Sequence, residues 1–119
     1  MQHEMPIFQD VNRKIEFAPM DLVKTCRHRL DAIRLCIQLS DMPQELVFDL
    51  LGINKGHGTR MLNGQAHFND KKANELMKVC GNYAPLQYEA WSNNFELVAM
   101  KQDARIRELE EQLAKAKAG

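Results

Sequence analysis

The chain has 119 residues, 45% of them hydrophobic, with 16 Lys/Arg balanced by 16 Asp/Glu, so it can bury one modest core and carries no net charge. No run approaches the ~20 apolar residues of a membrane span, the N-terminus lacks the basic-then-apolar order of a secretory signal, and 6 Gly with 4 Pro argue against a collagen-like or disordered chain. Cys26, Cys36 and Cys80 are odd in number and widely spaced, so neither a disulfide framework nor a zinc site is implied; buried reduced thiols and a cytoplasmic location are expected.

Neutrality counts mildly against a general nucleic-acid binder, but the charge is unevenly spread. From Arg13 to Lys78 there are 11 Lys/Arg against 8 Asp/Glu, a surplus of three. The acidic excess lies at the two ends, which suits specific binding with low non-specific affinity.

Residues 1–19 keep no clean period. Ile7, Phe8, Val11, Ile15 and Phe17 are apolar, and a short strand pair, an arm packed on the domain and an arm reaching a ligand are all open. Packing is favoured, because bulky apolar groups would otherwise stand in water; Met20 as a second start would make the segment dispensable.

From Asp21 to about Leu39 apolar residues recur at spacings of three and four: Leu22, Val23, Cys26, Leu30, Ile33 and Ile37. That period predicts one long helix, with Asp21 as a plausible N-cap after Pro19. Its outer face carries Lys24, Arg27, His28, Arg29 and Arg34, either a solvated face or a set of phosphate contacts.

The stretch 44–64, QELVFDLLGINKGHGTRMLNG, reads as two short helices joined by a tight turn. The first spans Gln44 to Leu51, the turn is Gly52-Ile53-Asn54, and the second runs from Lys55 to Leu62, stopped by Asn63-Gly64. Leu46, Val47, Leu50, Leu51, Ile53, Met61 and Leu62 give the pair its buried side. Gly52 supplies the left-handed backbone of the turn and Asn54 the cap of the second helix. This is the pattern of a helix-turn-helix, whose second helix enters the major groove of DNA.

The same stretch resembles, without a gap, the motif of the lambda-repressor-like (Cro/repressor) helix-turn-helix family, through Gln44, Gly52, the apolar Val47, Leu51 and Ile53, and the closing Leu62-Asn63-Gly64. Two positions depart from the family pattern. Phe48 stands where a small residue is usual, and Gly58 where a branched apolar one is usual. The resemblance implies that the two face each other across the helix crossing, so the large side chain fills the space the glycine leaves.

After the loop Gln65–Phe68, Asn69 or Asp70 starts another helix, with Ala73, Leu76, Met77, Val79 and Cys80 on its apolar face and Gly81 as its stop. Pro85 opens a further helix carrying Leu86, Tyr88, Ala90 and Trp91, interrupted at Ser92-Asn93-Asn94. The fold class expected is all-α: an N-terminal arm (1–19), a compact five-helix lambda-repressor-like domain (20–93) and a C-terminal helix (94–119). That last stretch is rich in Ala, Glu, Lys, Leu and Arg. Ile106 and Leu113 at a and Leu109 at d make a short heptad pattern, with Arg105 placed to meet Glu110 of a parallel partner, so a coiled-coil homodimer through this helix is expected. A single solvated helix is the alternative.

By the resemblance, Lys55, Gly56, His57, Thr59 and Arg60 stand outward for base edges and phosphates. Gln44 is implied to bond a phosphate and brace the second helix, and Asn63, Gly64 and Gln65 to offer amides to the DNA backbone, with His67 nearby. Gly56 and Gly58 each cost about 1 kcal/mol against Ala in a helix interior, so the recognition helix is expected to be loose or to approach DNA closely. The four histidines share no metal-ligand spacing with each other or with the cysteines, and no phosphate loop, nucleophile elbow or carboxylate pair is present. No enzyme, cofactor, metal, membrane or small-molecule ligand is expected. The partners expected are double-stranded DNA and a second copy, in a transcriptional regulator similar to those of phages or prophages. An interaction adaptor and an antitoxin-like autoregulator acting through the C-terminal helix are the other readings.

Overall fold

One helix, Arg29–Leu39, is the post on which the rest of the domain is hung. In the computed structural model, which describes residues 15–100 and 102–118, the chain forms α1 (Met20–Val23), α2 (Arg29–Leu39), α3 (Gln44–Leu50), α4 (Lys55–Leu62), α5 (Asp70–Cys80), α6 (Ala84–Ser92) and α7 (Gln102–Ala118). Among the described residues the regular structure is all helix, apart from an isolated parallel bridge between Glu16 and Asn82. α2 packs against α1, α4, α5 and α6. It can do so because Ala32, Ile33, Cys36 and Ile37 fall on one side of a 3.6-residue period and are buried there. Around them Val23, Val47, Phe48, Phe68 and Leu76 are shut off from solvent almost completely, each contributing about 1.5–3 kcal/mol of transfer free energy.

The single helix expected over 21–39 is two helices, so the region 20–93 holds six helical segments and not five. The apolar period runs unbroken across Lys24–His28, but the backbone does not. The Asp31 carboxylate, at the third position of α2, accepts hydrogen bonds from the N–H groups of Arg27 (3.0 Å) and His28 (3.1 Å), and these restart the helix. The same bonds, Arg27 first, hold the Asp31 carboxyl below its ordinary range. Leu22 and Leu46, expected on buried faces, are more than a third exposed. Their helices are only four and seven residues long, and Val23, Val47 and Phe48 fill the inward positions.

Residues 15–19 pack on the domain. Glu16 N–H donates to Gly81 O and receives Tyr83 N–H on its own carbonyl. Ala18 is clasped by the Gln87 side chain, which accepts from Ala18 N–H (2.7 Å) and donates to Ala18 O (2.9 Å). Gln87 is 3% exposed, so this reciprocal pair satisfies an amide that burial would otherwise penalise. The arm expected over 1–19 therefore packs at its described end; residues 1–14 lie outside the described residues.

α5 starts and stops as expected: Asn69 Oδ1 accepts from Lys72 N–H (2.8 Å), and Gly81 closes the helix at φ 80°. The C-terminal region departs from expectation. α6 ends with Asn94 at φ 66° and Phe95 N–H bonded back to Ala90 O (2.8 Å), a left-handed stop. Residues 95–100 are then non-helical, and the helix expected from 94 begins at Gln102. Every described side chain of α7, 105–117, is exposed. Arg105, expected to face a partner's Glu110, lies 3.6 Å from Glu108 of its own helix. Cys26, Cys36 and Cys80 are buried, and among the described residues no helix is long and apolar enough to cross a membrane.

Candidate nucleic-acid interface

α3 and α4 are held as a unit by two local devices and one bond from a remote helix. Gly52 sits at φ 71°, a left-handed backbone state that favours glycine, and Ile53 N–H then reaches back to Phe48 O (2.9 Å). Asn54 caps α4, its Oδ1 accepting from His57 N–H at 2.8 Å. Lys72 of α5 donates to Leu51 O at 2.8 Å, placing a cation on the C-terminal carbonyls of α3 where the helix dipole favours it.

Phe48 and Gly58 do meet across the crossing. A Cβ added at Gly58 would lie 2.6–2.8 Å from three atoms of the Phe48 ring, and Phe48 is 1% exposed. The two departures from the usual pattern are therefore one complementary exchange. Gly56 differs. Its added Cβ would meet only Asn54 Oδ1, at 3.7 Å, an ordinary contact, so nothing inside the domain requires glycine there.

With Gly58, Met61 and Leu62 turned inward, α4 presents Lys55, Gly56, Thr59 and Arg60 to solvent and His57 partly so. Lys55 Nζ lies 2.6 Å from Glu45 Oε1; that hydrogen bond, and then the carboxylate's charge, hold the ammonium above its ordinary value. Arg60 lies 3.3 Å from His57 Nδ1. Thr59 Oγ1 donates to Lys55 O at 2.9 Å, leaving the hydroxyl's lone pairs and the methyl as its contact groups. Gln44 and Asn63 line one shallow cleft with Thr59, Arg34 and Gln38. Gln65 and His67 are exposed on the loop that follows.

Two expectations change. The main-chain N–H groups of Asn63, Gly64 and Gln65 are already bonded, to Thr59 O, Met61 O and Arg60 O. A helix C-terminus presents carbonyls, and the next N–H groups close back on them. Only the side-chain amides of Asn63 and Gln65 remain for an outside acceptor.

Arg29 and Arg34 are not plain surface cations either. Arg34 donates to Leu62 O, the end of α4, and pairs with Asp31 at 3.4 Å. Arg29 donates to Phe68 O and pairs with Asp70 at 3.1 Å. The two arginines of α2 thus anchor both ends of the segment 62–70. No sequence signal exposes these bonds, because the partners are 28 and 39 residues away.

Gly56→Ala is expected to add up to about 1 kcal/mol of helical stability, since its site is open, while weakening DNA binding at least tenfold if the backbone approaches a phosphate there. Thermal melts beside operator titrations check this: a higher Tm with unchanged binding would remove the close-approach reading.

Among the described residues no group of three or more His, Cys, Asp or Glu side chains could hold a metal ion. Comparison of the chain with protein-family models, with curated proteins and with solved structures finds no match.

Proposed function

We propose that this chain is a sequence-specific DNA-binding transcriptional regulator of the lambda-repressor-like helix-turn-helix type, of a phage or prophage kind, acting in the cytoplasm as a homodimer through its C-terminal helix. The observation that supports it most is the two-sidedness of α4. Its inner positions are fastened to α3 and α2, while Lys55, Gly56, Thr59 and Arg60 stand together in solvent. In the major groove Arg60 suits the O6/N7 pair of guanine, Lys55 a guanine edge, and Thr59 a thymine methyl. Gln44, beside Thr59, and the side chains of Asn63 and Gln65 suit phosphates, which position the helix without reading sequence. Occupying a promoter would act sterically, and a dimer would require two half-sites about 34–36 Å, or a multiple of that, apart.

Footprinting on the DNA upstream of the protein's own coding sequence tests the reading. Two protected half-sites are expected; no protection, and no shift with that DNA at moderate salt, would sink it.

The Arg34 geometry adds a prediction. Its guanidinium holds Leu62 O, so Arg34→Gln is expected to weaken operator binding about tenfold by loosening the end of α4, while the slope of log K against log[salt] stays unchanged. A slope smaller by about one would make Arg34 a phosphate contact. Titrations at several salt concentrations separate the two.

A further inference from the structure

A groove of about 520 Å³ lies away from the α4 residues considered above, where residues 95–99 line a concavity together with residues of α1 and α6. Phe17, Met20, Trp91, Phe95 and Val98 line it and are exposed by 47%, 39%, 39%, 72% and 72%. A few residues further on, α7 carries the opposite shape. Ile106, Leu109 and Leu113 form one apolar ridge at i, i+3 and i+7 and are 45%, 47% and 57% exposed. The spacing is that of an amphipathic helix laid into a groove, but the chain does not lay its own α7 there, since every described side chain of that helix is in solvent.

We propose that the groove seats the α7 ridge of a second copy, and that the exchange is reciprocal: each subunit's Ile106, Leu109 and Leu113 enter the other's groove. This deepens the dimer part of the function proposed above and does not depend on DNA binding.

Area favours a second copy seated in this way. At roughly 200 Å² for a fully exposed large apolar side chain, the eight residues present roughly 800 Å² per copy, the contribution each partner makes to a standard stable interface. Neither feature reaches that alone. The groove by itself, at roughly 500 Å², falls within what a monomer leaves exposed. The ridge, at roughly 300 Å² on the same basis, spans too few heptads for a firm coiled coil. A net charge of zero removes the self-repulsion that would oppose two copies meeting. Seating also brings α7 onto the edge of the domain, so the two recognition helices are tied together through folded structure and not through a flexible stalk.

Trp91, the only tryptophan, is a built-in reporter of the groove. In sedimentation of the full chain without DNA, a dimer is expected, with Trp91 emission moving to the blue and becoming less quenchable by acrylamide as concentration rises through dimerisation. Val98→Glu on the groove and Leu109→Glu on the ridge alter exposed positions, so helicity should be unchanged. Each should give a monomer with red-shifted emission. Mixing the two variants should give a dimer weaker than the wild type's, since one of the two exchanges is lost, but at a concentration where neither variant dimerises alone, because the intact ridge of the Val98→Glu chain fits the intact groove of the Leu109→Glu chain. Groove-to-groove or ridge-to-ridge pairing predicts no such rescue, so failure of the mixture to dimerise overturns the proposal. So does a wild-type chain that stays monomeric, or a Val98→Glu chain that stays dimeric. A blue-shifted Trp91 independent of concentration would give the groove to the chain's own residues 1–14 and overturn it equally. Loss of DNA binding with this pattern intact would count against the regulator reading alone.

Discussion

Gly58→Val should disrupt the α3–α4 pair, and combining it with Phe48→Ala should cost clearly less than the two single losses added together. The Cβ of any side chain at 58 falls 2.6 Å from Phe48 Cδ2, 2.7 Å from Cε2 and 2.8 Å from Cγ. These are ring atoms of a side chain enclosed by the core, not the tip of a flexible one, so the clash is relieved only by moving α4 off α3. Overpacking of this kind costs about 1–3 kcal/mol, occasionally more, and valine adds two methyls beyond the Cβ. Phe48→Ala alone removes a buried ring and is expected to cost about 3–5 kcal/mol. In the double variant the valine occupies part of the space the ring vacated, so the two effects should fall short of their sum by 2 kcal/mol or more, a coupling expected only of groups in contact. Denaturant unfolding of the four proteins measures it; additive losses would mean the two side chains do not share the space. Gly58→Ala should be the mildest change, because about 1 kcal/mol of helix propensity offsets part of the overlap.

Arg60→Ala is expected to lower operator affinity by about 1–3 kcal/mol, roughly 5- to 150-fold, and to relax sequence preference at one position of each half-site. Lys55→Ala should act similarly, and neither should lower Tm, since both side chains stand in solvent. Glu45→Gln should do the reverse. Its carboxylate, 2.6 Å from Lys55 Nζ, both restrains that ammonium and brings a negative charge to the start of the motif. Its loss should strengthen binding to every duplex and narrow the gap between operator and scrambled DNA. The effect is electrostatic and not a titration. Lys55 is held above its ordinary value with Glu45 present and returns toward it without, so it is protonated at neutral pH in both proteins. Titrations of operator and scrambled duplexes provide the comparison. Wild-type affinity in both alanine variants would mean that α4 does not enter the groove.

Much of this protein is legible without coordinates because the signals are local. Asn54 and Asn69 cap the N–H groups three residues ahead, and Gly52 and Gly81 take the left-handed backbone that ends a helix. A 3.6-residue period separates the buried side of α4 from Lys55, Gly56, Thr59 and Arg60. The exchange of bulk between Phe48 and Gly58 is anticipated too, but through the resemblance, which implies that those two positions face each other across the helix crossing. Tertiary structure decided whatever depends on distant partners. The break before α2 follows a single carboxylate and not the apolar period, which continues through it. Arg29, Arg34 and Lys72 look like surface cations until the carbonyls of Phe68, Leu62 and Leu51 are brought to them. The groove beside Trp91 likewise exists only once residues 95–99 are brought beside α1 and α6 to line it. Caps and periods follow from the covalent chain over a few residues, whereas a hydrogen bond or a concave surface between remote segments exists only after the core has collapsed and set their separation.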